Sequence, residues 1–166
     1  MGMMAAMKFR HELTYDASPD EVFAMLADPA FREAGCAAAD VVSADVTVER
    51  VGDGFSLTVE RVDRTDGLPS FARTFAGDTT RSIQREEWAD ATSGTLVIEA
   101  PGKPSEVRGT ITLVPDGAAT REIIELDLKI KVPLIGGKLE KLLAEQVTAG
   151  IEAEQRAGVA YLAGRR

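Results

Sequence analysis

The stretch from Pro133 to Leu162 constrains the fold most strongly, because it has the pattern of one long helix. Its apolar residues recur at helical spacing, while charged and amide side chains occupy the opposite side. The apolar set is Leu139, Leu142, Leu143, Val147, Ile151, Ala157 and Tyr161, and the polar set is Lys141, Glu145, Thr148, Glu152, Gln155 and Arg156. We infer a helix whose apolar face covers a sheet.

Three residues interrupt the apolar side of this helix. Gln146, Gly150 and Glu154 fall between the leucines and Tyr161. A helix that only fills a core rarely carries a glutamate, a glutamine and a glycine on its buried side. The pattern therefore predicts a helix that also borders a space, with Gln146 and Glu154 as candidate ligand contacts. Gly150 and Gly158 would let a ligand approach the backbone, or would mark close packing on the sheet.

The chain before this helix alternates apolar and polar residues with a period of two, which is typical of half-buried strands. Strand 1 is expected over 7–15. Ser18-Pro19-Asp20-Glu21 has the pattern of a capping box, and Asp28-Pro29 repeats the cap and proline, so two short helices should follow. A hairpin is predicted over 42–60, a helical turn or flap over 68–75, and further strands over 79–89, 95–100, 105–114 and 120–132.

Consecutive hairpins make an antiparallel sheet, and such a sheet can be wet on one face when a helix covers the other. We therefore predict an α+β fold: a seven-stranded curved antiparallel sheet with two short helices after strand 1 and a long C-terminal helix on its concave face. Residues 7–164 should form a single domain. Residues 1–6 are interpreted as a disordered or cloning-derived end.

Composition narrows the function classes. The formal net charge of −8 and the pI near 4.8 argue against binding nucleic acid or an anionic membrane surface. No apolar run is long enough to span a bilayer, so integral membrane association is not expected. Cys36 is the single cysteine and cannot form an internal disulfide, which fits a reducing cytoplasm. The sequence has no pattern that indicates the oligomeric state.

The opening YDASPDEVFAMLADP, residues 15–29, resembles the START-like, or SRPBCC, helix-grip superfamily. This superfamily includes birch-pollen-allergen-like proteins, lipid-transfer START domains and polyketide cyclases. The resemblance covers 7–162, and the sequence is most similar to an uncharacterised bacterial branch of unknown function. It implies a cavity between the long helix and the concave face of the sheet. The motif indicates the fold and not the activity, because members bind lipids, act as cyclases or dehydratases, or serve as co-chaperones.

Two residues are weak catalytic candidates. Glu154, if buried in the cavity, would have a raised pKa suited to proton transfer or to a ligand contact. The alternative is that it lies at the rim or pairs with a sheet arginine, such as Arg61, Arg85 or Arg108. His11 is the only histidine and is either a proton carrier or a partly buried, hydrogen-bonded side chain.

Apolar residues would supply the cavity wall or simply belong to the core. The strand over 79–89 is polar on both faces, so some of its polar groups are expected to line the cavity. The complete set of predicted ligand-binding residues is Leu143, Gln146, Val147, Gly150, Glu154, Gly158, Tyr161, Phe55, Leu57 and Trp88.

Binding of a hydrophobic or amphipathic small molecule, lipid-like or polyketide-like, is the favoured function. The alternatives are a cyclase-like or dehydratase-like enzyme that uses Glu154 or His11, and a co-chaperone-like interaction module. The sequence has no metal-ligand cluster, phosphate loop or nucleophile elbow, so no metal or cofactor is predicted.

Overall fold

Seven strands form one antiparallel sheet in the order β1-β7-β6-β5-β4-β3-β2. The structure is a computed structural model and describes residues 6–164. The strands are β1 (Met7–Tyr15), β2 (Ser43–Val51), β3 (Gly54–Arg64), β4 (Thr79–Trp88), β5 (Ser93–Glu99), β6 (Ser105–Asp116) and β7 (Ala119–Ile130). The helices are α1 (Pro19–Leu26), α2 (Pro29–Ala38), α3 (Ser70–Ala76) and α4 (Gly136–Ala163). This architecture confirms the predicted helix-grip fold.

Capping residues set the corner between β1 and the first two helices. Ser18 accepts a hydrogen bond from the Glu21 amide, and the Glu21 carboxylate accepts one from the Ser18 amide, which completes the predicted capping box. Asp28 caps α2 by accepting a bond from the Ala30 amide. Each helix has proline in its first turn, where no amide partner is lost. These caps place α2 beside the C-terminal half of α4.

Helix α4 lies across the concave face but does not touch all of it. It packs chiefly against α2, β1 and β7. At Gly158 the helix meets the Tyr15 ring so closely that a Cβ atom there would lie 2.7 Å from the ring. The helix is therefore seated at one side of the sheet, and a space remains under β3 to β6.

Two expectations have different outcomes. The predicted turn or flap over 68–75 is the short helix α3, which stands at one end of that space. The interpretation of residues 1–6 as a disordered or cloning-derived end concerns residues that, except for Ala6, lie outside the described part of the chain.

Candidate ligand-binding site

A cavity of about 340 Å³ lies between α4 and the concave face of the sheet. This volume is within the range of about 300–1,000 Å³ that is typical of small-molecule sites. One face of α4 forms one wall, and inward-facing residues of β1 and β3 to β7 form the other. The apolar part of the wall includes Leu139, Leu142, Leu143, Val147 and Ile151 from the helix and Leu96, Ile98, Val107, Ile111, Ile124 and Leu126 from the sheet.

The two ends of the cavity differ in exposure. At one end, which we call the closed end, the lining residues Tyr15, Glu86 and Glu122 are at most 3% exposed. At the other end, the outer end, the lining includes the exposed side chains of Phe75 and Lys103. The cavity therefore has a buried polar end, an apolar middle and an end at the protein surface.

Arg32 of α2 organises the closed end. It is 4% exposed, and its guanidinium donates two hydrogen bonds to Glu86, of 2.9 and 3.1 Å. The same group donates to the Leu26 carbonyl at 2.8 Å and to Glu154 at 3.3 Å. Burial disfavours the charge of Arg32, but Glu86 and Glu154 outweigh this effect and raise its pKa. Arg32 is therefore a permanent cation that joins α2 to β4 and α4.

Glu86 is fully satisfied by its neighbours. Besides Arg32, the amide of Gln84 donates to it at 2.7 Å and the indole nitrogen of Trp88 at 2.9 Å. These donors alternate along β4, so all three side chains reach the concave side of the sheet. Glu86 therefore accepts hydrogen bonds from Arg32, Gln84 and Trp88, and these bonds fix its side chain at the closed end.

Glu154 lies between the ion pair and the cavity. Its side chain is 31% exposed, and it lines the cavity. Burial and the nearby Glu86 carboxylate raise its pKa, while Arg32 and Arg61 act in the opposite direction. Gly35 of α2 leaves room for it, since a Cβ atom there would lie 3.5 Å from the Glu154 Cγ. The Glu154 carboxyl group therefore borders the cavity while it accepts a hydrogen bond from Arg32.

Glu122 of β7 is a second carboxyl at the closed end. It is 3% exposed and lines the cavity, and its Oε1 atom is buried without a hydrogen-bond partner among the described residues. Burial, followed by repulsion from Glu154, raises the pKa of Glu122 to about 8. Burial likewise raises the pKa of the neighbouring Tyr15 hydroxyl, with Glu122 and Glu154 adding to the shift. At neutral pH Glu122 is thus mainly a neutral acid.

Five of the predicted ligand-binding residues come together on the cavity side of α4. They are Leu143, Gln146, Val147, Gly150 and Glu154. Gly150 borders open space, because no atom lies within 4 Å of a Cβ built there. The interruption of the apolar face therefore coincides with the cavity.

The other predicted residues lie elsewhere. Gly158 packs on Tyr15, and the Tyr161 hydroxyl donates to Asp28. His11 is half-buried and stacks on Phe9, with ring centroids 6.4 Å apart, outside the cavity lining. Phe55, Leu57 and Trp88 belong to the core cluster of the sheet, where the rings of Phe55 and Trp88 are stacked.

Polar side chains of the strand over 79–89 line the cavity as expected, including Gln84 and Glu86, but sequence reasoning missed Glu122 and Arg32 at the closed end. Glu122 occupies the inward register of β7 together with Ile124, Leu126 and Leu128, and this out-of-place carboxylate was a readable signal. Arg32 gave no such signal, because its buried position depends on how α2 packs. It, and none of the sheet arginines proposed above, is the hydrogen-bonded partner of Glu154.

A family model described as a protein of unknown function, DUF2505, matches residues 10–162. The chain belongs to the DUF2505 family. An uncharacterized protein of Mycobacterium tuberculosis is 29% identical, covering 86% of this chain and 88% of that protein. The family assignment agrees with the predicted bacterial branch of unknown function, and it names no activity.

Solved structures confirm the START-like fold of this DUF2505 member. A START superfamily protein from Mycobacterium smegmatis has a TM-score of 0.58 at 18% identity, covering 91% of this chain and 97% of the other. The di-domain ARO/CYC StfQ from the steffimycin biosynthetic pathway has a TM-score of 0.63 at 16% identity, covering 97% of this chain and 52% of StfQ. At these identities the likeness concerns the fold alone.

Two features are absent from residues 6–164. None of the helices there combines the length and the apolar character needed to cross a membrane. Within the same range, no group of three or more histidine, cysteine, aspartate or glutamate side chains is arranged to hold a metal ion.

The two inward glycines of α4 should respond oppositely to alanine. Gly150→Ala should raise the free energy of unfolding by up to about 1 kcal/mol, since alanine favours the helix and the added methyl enters open space. Gly158→Ala should lower it by about 1–3 kcal/mol, because the methyl overlaps the Tyr15 ring. Urea denaturation of both variants tests this pair, and a stabilised Gly158→Ala would contradict the packing described.

Removing the buried cation should be costly. Arg32→Met should lower the free energy of unfolding by about 3–5 kcal/mol, because it leaves Glu86 buried without its counter-charge. The double variant Arg32→Met with Glu86→Gln should recover part of this loss, as a double-mutant cycle in urea would show. If the changes in the free energy of unfolding of the two single variants summed to that of the double variant, Arg32 and Glu86 would not be coupled, and the prediction would be wrong.

Stability should depend on pH through Glu122. Its folded-state pKa of about 8 exceeds its usual value of 4.5, so the unfolded chain releases this proton at lower pH. The free energy of unfolding should therefore fall as the pH rises from about 4.5 to about 8. Glu122→Gln should reduce this slope without abolishing it, because the pKa of Glu154 is shifted in the same direction.

The matched control is Glu125→Gln, the same chemical change at an exposed position of the same strand. Urea denaturation across this pH range should give Glu125→Gln the slope of the unaltered protein. If the free energy of unfolding of Glu122→Gln had the same pH dependence as that of the unaltered protein, Glu122 would titrate normally in the folded state, and the prediction would be wrong.

Proposed function

We propose that this protein binds a hydrophobic or amphipathic small molecule in the cavity under α4. The observation that carries the proposal is the combination of an apolar wall with a buried polar end in one space of about 340 Å³. Sites for small ligands have this composition: apolar surface supplies affinity, and a few polar groups fix orientation. Gln146 and Glu154 are the orienting groups, with Leu143 and Val147 in the apolar wall. The cytoplasm is the proposed location.

A glycine on the cavity side of α4 supports this proposal. Gly150 lines the cavity and has open space where a side chain would stand. Glycine inside a helix costs about 1 kcal/mol relative to alanine, and no packing contact at this position offsets the cost. Close approach of a ligand to the helix backbone accounts for the glycine. A co-chaperone-like module with no ligand accounts for it less well, because that function does not call for an open cavity.

A cyclase-like or dehydratase-like enzyme is the second candidate. Glu154 favours it, because a carboxyl group with a raised pKa that reaches the cavity is suited to donate or accept a proton. His11 is not a participant in this version of the proposal, since it lies outside the cavity lining. An enzyme predicts that Glu154→Gln abolishes turnover, whereas a carrier predicts that this variant still binds ligand.

Filling the cavity should weaken binding while preserving the fold. Gly150→Leu places a large side chain in the cavity, so binding of the neutral fluorophore N-phenyl-1-naphthylamine should weaken at least about tenfold. Gly137→Leu is the matched control, because Gly137 is an exposed glycine of α4 outside the cavity and also has open space beside it. Fluorescence titration of the three proteins gives the comparison.

Native mass spectrometry of the freshly purified protein adds the identity of a bound compound. A reproducible excess mass that solvent extraction releases, and that Gly150→Leu lacks, is the expected result. Equal fluorophore binding by the unaltered protein and Gly150→Leu would place binding outside the cavity and contradict the proposal.

A further inference from the structure

The closed end of the cavity contains more carboxyl groups than it can neutralise. Glu86, Glu122 and Glu154 are electrostatically coupled around the single guanidinium of Arg32. Arg32 already donates four hydrogen bonds, to Glu86, Glu154 and the Leu26 carbonyl. Glu86 therefore takes up most of the available positive charge, while Glu122 and Glu154 are left with little of it.

The other arginine close to this group does not correct the imbalance. Arg61 lines the cavity, but it donates two hydrogen bonds to Asp63, of 2.9 and 2.8 Å. Arg61 and Asp63 thus form a neutral pair of their own. The sum over these side chains is an excess of two ionisable carboxyl groups at the closed end.

Glu122 is the sharpest sign of a missing partner. Its Oε1 atom is buried and without a hydrogen bond among the described residues, although the side chain lines a cavity. Leaving a buried polar atom unsatisfied costs about 1–3 kcal/mol, so such atoms in folded proteins usually have a reason. A ligand group that donates a hydrogen bond would satisfy this atom.

We infer that the closed end is the recognition site for a primary ammonium group, and that the ligand is a hydrophobic amine. This inference rests on the proposed function and deepens it. The ammonium would donate hydrogen bonds to Glu122 and Glu154, and its charge would stabilise both carboxyl groups in their ionised form. Its apolar part would lie along the middle of the cavity, between Val147 and Ile151 of the helix and Ile124 of the sheet.

The same geometry ranks other head groups. A carboxylate, such as that of a fatty acid, would meet only the paired cations Arg32 and Arg61 among the described residues near the closed end, and its charge would oppose ionisation of Glu122 and Glu154. A hydroxyl could donate one hydrogen bond but would bring no positive charge to stabilise an ionised Glu122 or Glu154. Hydrogen bonds between charged groups are about twice as strong as those between neutral groups, so the amine should bind more tightly than the alcohol.

Three ten-carbon competitors separate these head groups. Decylamine, decanol and decanoate, at submicellar concentrations and pH 7.5, would each be titrated against N-phenyl-1-naphthylamine bound to the full chain. Decylamine should displace the fluorophore at a concentration at least about tenfold lower than decanol, with decanoate the weakest. Equal potency of the amine and the alcohol, or a preference for decanoate, would overturn the inference.

Glu122→Gln tests the residue that carries the argument. It keeps the size of the side chain but cannot ionise when an ammonium binds, so the advantage of decylamine over decanol should fall several-fold. Glu125→Gln, on the exposed face of the same strand, should keep the full advantage. Retention of the advantage in Glu122→Gln would overturn the assignment of Glu122, and the ranking in the unaltered protein remains decisive if that variant does not fold.

The outcomes also separate this inference from the proposed function. Displacement by all three competitors, without a preference for the amine, would overturn the ammonium site and leave the cavity as a binding site for small molecules. Failure of the fluorophore and of every competitor to bind would overturn both.

Discussion

The buried ion pair between Arg32 and Glu86 is the interaction on which the rest of this structure depends. Both side chains are almost completely buried, and each is held by several hydrogen bonds. Removing two charges from water is expensive, and their attraction offsets the cost only when the geometry is good and the remaining donors and acceptors are satisfied. The donors from Gln84 and Trp88 meet that condition for Glu86. As a result, α2 is fixed to β4 at one point.

This fixed point determines where α4 can lie. Arg32 also contacts Glu154, and Gly35 on the same helix leaves room for that side chain. Toward its C-terminal end, α4 is held by Gly158 on Tyr15 and by the hydrogen bond from Tyr161 to Asp28. Held chiefly against α2, β1 and β7, the helix leaves a cavity between itself and the concave face of the sheet. The cavity is thus a consequence of where the helix is anchored.

The sequence predicted the fold well because local signals agreed with one another. Period-two alternation, the capping box at Ser18 and the helical period after Pro133 each specify one element, and their order admits few topologies. The residues on the cavity side of α4 were also readable, since Gln146, Gly150 and Glu154 break an apolar face. The closed end was not readable in the same way, because Arg32, Glu86 and Glu122 come from three elements that only tertiary packing brings together. Trp88 illustrates the difference: an aromatic residue at an apolar position predicts a wall, but its indole nitrogen serves as a donor to Glu86.

The closed end departs from the rules that shape the rest of the protein. Elsewhere the inward positions of β7 are apolar, whereas Glu122 places a carboxyl there with one oxygen unsatisfied. A leucine at this position would pack without that cost, and stability alone would favour it. Residues that lower the stability of the fold and make no compensating contact are expected at binding or catalytic sites, because selection acts there on function. Gly150 belongs to the same class, since it weakens a helix where no neighbour needs the space. Glu122 and Gly150 line the same cavity, so contacts with the proposed ligand would offset the stability that these two residues cost.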